Sequence, residues 1–314
     1  MKTFDIMEAL AEPFRQAGRR PLATIVWGLV GLLPSVGGLA LLFHVFGGDM
    51  FIDDPDFESG ADMATFFQFQ SWSLLVNLLE WLVSIVVIVA VTRATFDGRR
   101  KDGAFFMRVG ADEFRVLIAS LVIAIVAVLA LIVLALICVG IGALIWQLPD
   151  LPRALGLVVL GIAAFLLILL ASGRAYLILP ACVWHHSLAF EQGWKLGRRQ
   201  SWKLVGLLIM LLIVTIVMTL VIMVVGLILL LIIGAILGGW DMPAMDDPEG
   251  WVMNMFDQPL VWGVTAAVLL IPLAWVQGFF QLLGNAPFAH VVRELSAEAD
   301  SAAETTADNP DESV

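Results

Sequence analysis

Charge is what this sequence has least of. Only 14% of its 314 residues are charged, against about 25% in a water-soluble domain, so a soluble globular fold of this length is excluded. Cysteine is scarce as well: there are two, Cys138 and Cys182. No Cys-x-x-Cys occurs, and both read as buried free thiols. There is no Ser-His-Asp set, no Gly-rich phosphate loop and no zinc-ligand spacing. That removes the common hydrolase, nucleotide-binding and zinc classes. The four histidines are poorly placed for a metal. His185 and His186 are adjacent, so on a helix they point about 100° apart and cannot easily share one ion. His44 and His290 fall on opposite sides of the topology derived below, so all four read as interfacial. No metal and no cofactor is expected.

What is abundant is apolar surface, 61% of the residues, and it is concentrated in blocks. Leu22–Phe46, Trp72–Thr92, Val116–Trp146, Leu155–Pro180, Leu204–Leu237 and Leu260–Leu283 each approach or exceed the roughly 20 residues that cross a bilayer core. The fold expected is an all-α membrane protein of six transmembrane helices over residues 1–295. Residues 296–314 read as a disordered acidic tail. The first block is too long for a cleavable signal and is expected to remain as a span. Val116–Trp146 and Leu204–Leu237 are too long for upright crossings. The second would measure about 51 Å as one helix, against about 30 Å of hydrocarbon, so tilt, a bend near Gly226 or an interfacial end must absorb the excess.

The few charges are sorted by side. Arg15, Arg19 and Arg20 precede the first span, Arg93, Arg99, Arg100, Lys101, Arg108 and Arg115 separate spans two and three, and Arg174, Lys195, Arg198, Arg199 and Lys203 border spans four and five. The alternate loops hold Arg153 and many carboxylates, from Asp49 to Asp62 and from Asp241 to Asp257. By the positive-inside rule both termini are cytoplasmic. Gly197-Arg198-Arg199, flanked by Trp194 and Trp202, then reads as an interfacial anchor for anionic lipid rather than a nucleic-acid patch.

The alternate loops offer two metal-like patterns, and each has a plainer reading. Asp53–Gly60 spaces carboxylates as calcium loops do. However, Ser59 and Thr65 stand where glycine and a bidentate glutamate are needed. Met242, Met245, Met253 and Met255 could suit Cu(I), yet Asp247-Pro248-Glu249 opens what reads as an amphipathic helix.

Each odd-numbered span is preceded by a segment resembling a short amphipathic helix. In the first, Thr3 is placed as a cap and Phe4, Met7, Ala11 and Phe14 share one face. In the second, Asp102 precedes Phe105, Phe106 and Val109; in the third, Ser187 precedes Phe190 and Trp194. "ALAEPFRQAGRRP" (Ala9–Pro21) aligns with "AFEQGWKLGRRQS" (Ala189–Ser201) with one gap. Arg93-Ala94-Thr95-Phe96 parallels Arg174-Ala175-Tyr176-Leu177. A threefold repeat of interfacial helix plus transmembrane hairpin is therefore expected. At the seam between units two and three, Arg174 ends a span, Pro180 interrupts the helix and Ser187 restarts it.

That seam, with Arg174, Pro180, Ala189, Trp194 and Trp202-Lys203-Leu204, resembles the glycerophosphoryl diester phosphodiesterase membrane-domain family and the related YciC-type bacterial inner-membrane proteins. Gly193 departs from it, standing where family members usually have Ser. The resemblance implies a six-span module in a bacterial inner membrane with no defined chemistry. A phosphodiesterase activity would need a separate soluble barrel of about 250 residues, and no such region is present.

The function expected is accordingly non-enzymatic: membrane organisation, or assistance to partner proteins, through membrane lipids, membrane-protein partners or self-association. The alternative is a transporter or lipid-handling protein. It rests on Glu80, the one acidic residue inside a span. Asn77 and Ser84 share its helix face, and Thr215 of span five lies at a compatible depth to hydrogen-bond it. A charge near mid-bilayer costs about 2.5–3.5 kcal/mol on insertion scales, so Glu80 should face the bundle interior and be protonated, or line a water-filled cavity.

Overall fold

Residues 4–46, 60–96, 104–108, 110–198, 200–237 and 259–308 are described by a computed structural model. They form α1 (Ile6–Arg19), α2 (Pro21–Phe46), α3 (Gly60–Thr95), α4 (Ala111–Ile145), α5 (Asp150–His185), α6 (Phe190–Arg198), α7 (Ser201–Leu237) and α8 (Pro259–Asp308), with one 3-10 turn at Ala104–Phe106 and no strand among them. Six helices, α2, α3, α4, α5, α7 and α8, are long and apolar enough to cross a membrane. Thr3, Asp102, Val109, the acidic loop up to Ser59 and the methionine cluster lie outside the described residues.

The helices outrun the apolar blocks at their polar ends, because hydropathy marks the hydrocarbon and hydrogen bonding continues beyond it. α8 is the extreme case. It passes Leu295 and reaches Asp308 through an alanine-rich stretch, and Ser296 is buried. α4 and α7 are single continuous helices, with no break at Gly226. At about 52 and 55 Å they exceed the bilayer core, and tilt or ends that leave the hydrocarbon must absorb the excess.

Prolines do not end helices here. Pro13, Pro34 and Pro180 all lie inside them. This corrects the expectation for Pro180: α5 continues to His185 and stops at His186, whose φ of 51° is left-handed. A buried proline in a long apolar helix loses one backbone bond, but neighbouring packing holds the helix together.

The short segments behave differently from one another. α1 is capped by Asp5, whose Oδ1 accepts the Met7 N–H at 2.8 Å. Its Ala9, Glu12 and Pro13 are buried, while Met7, Ala11 and Phe14 form an exposed apolar face. α6 begins at Phe190, past the Ser187 cap that the sequence suggests, with Leu188 and Ala189 still outside the helix. Among the described residues between α3 and α4, 104–106 form a 3-10 turn and are not part of an amphipathic helix. Phe105 and Phe106 take φ of 58° and 60°, which ends the 3-10 turn after three residues.

The chain divides into two compact units, one of Met1–Arg15, Ile88–Leu212 and Leu283–Val314 and one of Gln16–Val87 and Ile213–Leu282. The second unit is organised by contact between α2 and α8. A Cβ on Gly28 would lie 1.6 Å from the Ala274 carbonyl oxygen, and one on Gly278 would lie 1.9 Å from that of Thr24. Only glycine permits this approach, and Trp27, Phe279 and Leu282 bury their side chains nearby in sequence on the same two helices. In the first unit the core gathers Val89, Val91, Val116, Leu177, Leu204, Leu207 and Val291.

The spans differ sharply in burial. About one third of the most apolar window is buried in α2 and in α8 (33% each) and 28% in α3, against none in α4 and α5 and 6% in α7. The three most apolar spans are the three least covered by protein.

Candidate functional site

Glu80 is half-buried on α3, and its partner is not the expected one. Ser35 Oγ of α2 donates to Glu80 Oε1 at 2.6 Å. Thr215 does not fill that role, because equal depth in the bilayer does not make two helices neighbours. Asn77 and Ser84 share the helix face but bond to their own backbone: Asn77 Nδ2 donates to the Ser73 carbonyl at 2.8 Å and Ser84 Oγ to that of Trp81 at 2.7 Å. Among the described residues Glu80 makes no ion pair. The contact is thus one carboxyl group and one hydroxyl, which can hold or exchange a proton but offers no second titratable group.

The denser polar arrangement lies in the first unit, where α3 ends and α4 begins. Arg93 Nη1 donates to Glu113 Oε1 at 2.7 Å and Nη2 to Asp112 Oδ2 at 3.1 Å, and the guanidinium also reaches the Arg108 carbonyl at 3.3 Å. Glu113 Oε2 accepts the Gly110 N–H at 2.8 Å, which fixes the first turn of α4. Asp112 Oδ1 takes Arg115 Nη1 at 2.8 Å and His186 Nδ1 at 3.1 Å. A cavity of about 370 Å³ is lined by Arg93, Arg108, Gly110, Ala111, Asp112, Arg115 and His186. Nothing in the apolar pattern announces this network. A spacing signal exists, however: an arginine ends one span and an acidic pair opens the next.

The α5–α6–α7 seam repeats that logic with other residues. Arg174 donates from Nε and Nη2 to Ser201 Oγ, at 3.1 and 2.8 Å, and lies over the Trp194 ring at 5.4 Å. Ser201 passes the contact on, donating to the Gly197 carbonyl at 3.0 Å. So Arg93 ties the end of α3 to the first turn of α4, and Arg174 ties α5 to the first turn of α7. α6 is pressed onto α5 by two glycines. A Cβ on Gly193 would come within 2.8 Å of Ile178 Cα, and one on Gly197 within 3.0 Å of Arg174 Cγ. A serine at 193 would not fit this spacing. Pro180 is buried within α5, Trp194 is partly exposed, and Trp202 is 72% exposed at the start of α7.

Arg293 of α8 closes a third contact at this end, donating to the Thr95 carbonyl at 2.7 Å. Tyr176 stacks on Phe288 with ring centroids 4.9 Å apart. Both cysteines are free, Cys182 buried and Cys138 partly exposed. The residues that sequence reasoning missed are Ser35, Ser201, the Asp112–Glu113 pair and the Gly28–Gly278 contact. The last could have been found from the small-x-x-x-small spacings Thr24–Gly28 and Ala274–Gly278.

No protein-family model matches the chain, and no curated protein or solved structure is significantly similar to it.

Proposed function

We propose that the chain is a non-enzymatic integral membrane module, of the bacterial inner-membrane kind its seam resembles, which holds partner membrane segments against its uncovered spans. One observation carries the reading: the most apolar windows of α4, α5 and α7 are buried to 0%, 0% and 6%. Ile125, Leu129, Ile132 and Leu136 of α4 are all exposed. Exposed apolar area on this scale marks a membrane or protein contact. Amphipathic α1 and α6 fit the interface with anionic lipid, α1 through its Met7–Phe14 face and α6 through Trp194 and Lys195. Both termini are then cytoplasmic, on the side of Arg93, Arg174 and Arg293. The matching arginine latches of α3 and α5 support hairpin units two and three as related copies.

The test is photo-crosslinking in intact membranes from probes at Leu129 and Leu136. Adducts with a membrane protein or a second copy are expected; adducts with lipid alone overturn the partner-holding reading. The second reading, a transporter or lipid-handling protein, is favoured by the Ser35–Glu80 contact between two spans. Its test is Glu80→Gln, which should abolish a cellular phenotype at normal expression and leave expression intact.

A further inference from the structure

We propose that Glu8, His290 and Glu294 form a binding site for one divalent transition-metal ion, best suited to Zn²⁺, that clamps α1 onto α8. One donor atom from each residue lies within 4.8 Å of the other two. His290 and Glu294 sit one helical turn apart on α8, and Glu8 reaches them from α1.

The cluster is more than a group of acidic residues. His290 is 1% exposed, and its Nε2 is buried with no hydrogen-bond partner. Glu294 Oε2 is buried and unbonded as well, 3.8 Å from that nitrogen. Two buried polar atoms that face each other beyond hydrogen-bond reach each carry a desolvation cost. A cation between them would relieve both. Tetrahedral zinc ligands stand about 3.3 Å apart at bond lengths near 2.0–2.1 Å, so the pair needs to close by only about half an ångström. Glu8 is exposed and can follow by rotation of its side chain.

The donor chemistry narrows the ion. One imidazole with two carboxylates fits zinc with a water completing the shell, whereas magnesium and calcium prefer all-oxygen sets. The other ring nitrogen is also provided for. Glu12, 4% exposed, places Oε2 3.7 Å from His290 Nδ1, where it can accept an Nδ1–H and orient the ring, as carboxylates commonly do for metal-bound histidines. At present Arg293 Nη2 donates to Nδ1 at 2.8 Å, so the hydrogen of the neutral ring sits on Nε2. Metal binding requires that hydrogen to move to Nδ1 and Arg293 to release it. Arg293 keeps its bond to the Thr95 carbonyl meanwhile. This rearrangement opposes binding and sets a moderate affinity.

The experiment uses the full chain without a histidine tag, stripped with a chelator and held in lipid nanodiscs. Zn²⁺ is titrated by calorimetry and the bound metal counted by mass spectrometry. One Zn²⁺ per chain is expected. Glu8→Gln and Glu294→Gln should each weaken binding at least about tenfold. His186→Asn, which removes the histidine beside Asp112, should leave binding unchanged. Because buried His290→Ala could fail to fold, the two glutamine variants are the decisive ones. Absence of stoichiometric zinc, or zinc binding that survives both glutamine variants, would overturn the site; so would loss of binding in His186→Asn alone.

Discussion

α2, α3 and α8 are built differently from α4, α5 and α7. The first three are the less apolar spans and are the ones with a third or so of their apolar windows buried; the other three are the most apolar and are almost uncovered. In a water-soluble protein the order runs the other way. The difference follows from the solvent. A span facing lipid on all sides must be apolar all round, and α4 and α7 are. A span facing other helices gains nothing from extra apolar area, since lipid tails are as apolar as leucine. It gains from close backbone approach and polar contacts instead. Gly28 against Ala274, Gly278 against Thr24 and Ser35 against Glu80 all occur in the less apolar set.

The comparison can be broken most severely at its tightest contact. Gly28→Ala puts a methyl 1.6 Å from a backbone oxygen, so α2 and α8 must separate. The loss should be at or beyond the upper end of ordinary overpacking, about 3 kcal/mol. Gly37→Ala, with nothing within 4 Å of the added carbon, should change stability by less than about 0.5 kcal/mol. Chemical unfolding in micelles compares the two, and equal losses would mean that the α2–α8 contact is not the one described.

Arg93 offers the next largest effect. Its side chain is 11% exposed and that of Glu113 7%, so Arg93→Met leaves Glu113 without its cation while Asp112 keeps Arg115, at about 3 kcal/mol, the low end for a broken buried pair. Replacing Asp112 and Glu113 with neutral residues in the same chain should recover much of the loss, measured by the same unfolding. A smaller change is expected at Ser35. Ser35→Ala removes one hydroxyl donor, worth about 1 kcal/mol. Glu80→Gln should cost little, since an amide oxygen still accepts from Ser35, and Glu80→Lys should lower thermal stability clearly more. Least of all should happen on the uncovered face. Leu129→Ala, at a site 58% exposed, should stay within about 0.5 kcal/mol in nanodiscs. A larger loss there would show that α4 is packed in the protein's own assembly.

Apolar runs made the six spans legible, because each needs a minimum length of greasy residues to cross hydrocarbon. Three things were not legible. Helix ends escaped because α8 continues to Asp308 on propensity, where hydropathy is silent. The seam escaped because Pro180 breaks a helix only where nothing else holds it, and here the chain around it is buried. The second loop escaped because positive φ at Phe105 and Phe106 has no sequence signature in aromatic residues. The site was half legible. Glu80 stood out as a lone charge, but the choice of Ser35 over Thr215 depends on which helices are neighbours, and depth alone cannot supply that. Arg174 and Trp194, singled out in the sequence as interfacial residues, lie against each other, 5.4 Å from cation to ring, a contact that the sequence did not announce.

The pairing of Gly28 with Ala274 has a consequence for how the chain is made. α2 leaves the ribosome well before α8, and the carbonyl it must meet is encoded nearly 250 residues later. At about 5–20 residues per second, the glycine face of α2 waits some 12 to 50 seconds for its mate. During that interval it is a weakly apolar span with no cover, a natural client for an insertase or a membrane chaperone. A message truncated before Ala274 would leave that face permanently unmatched, and its product should be degraded faster than one truncated within the tail of α8.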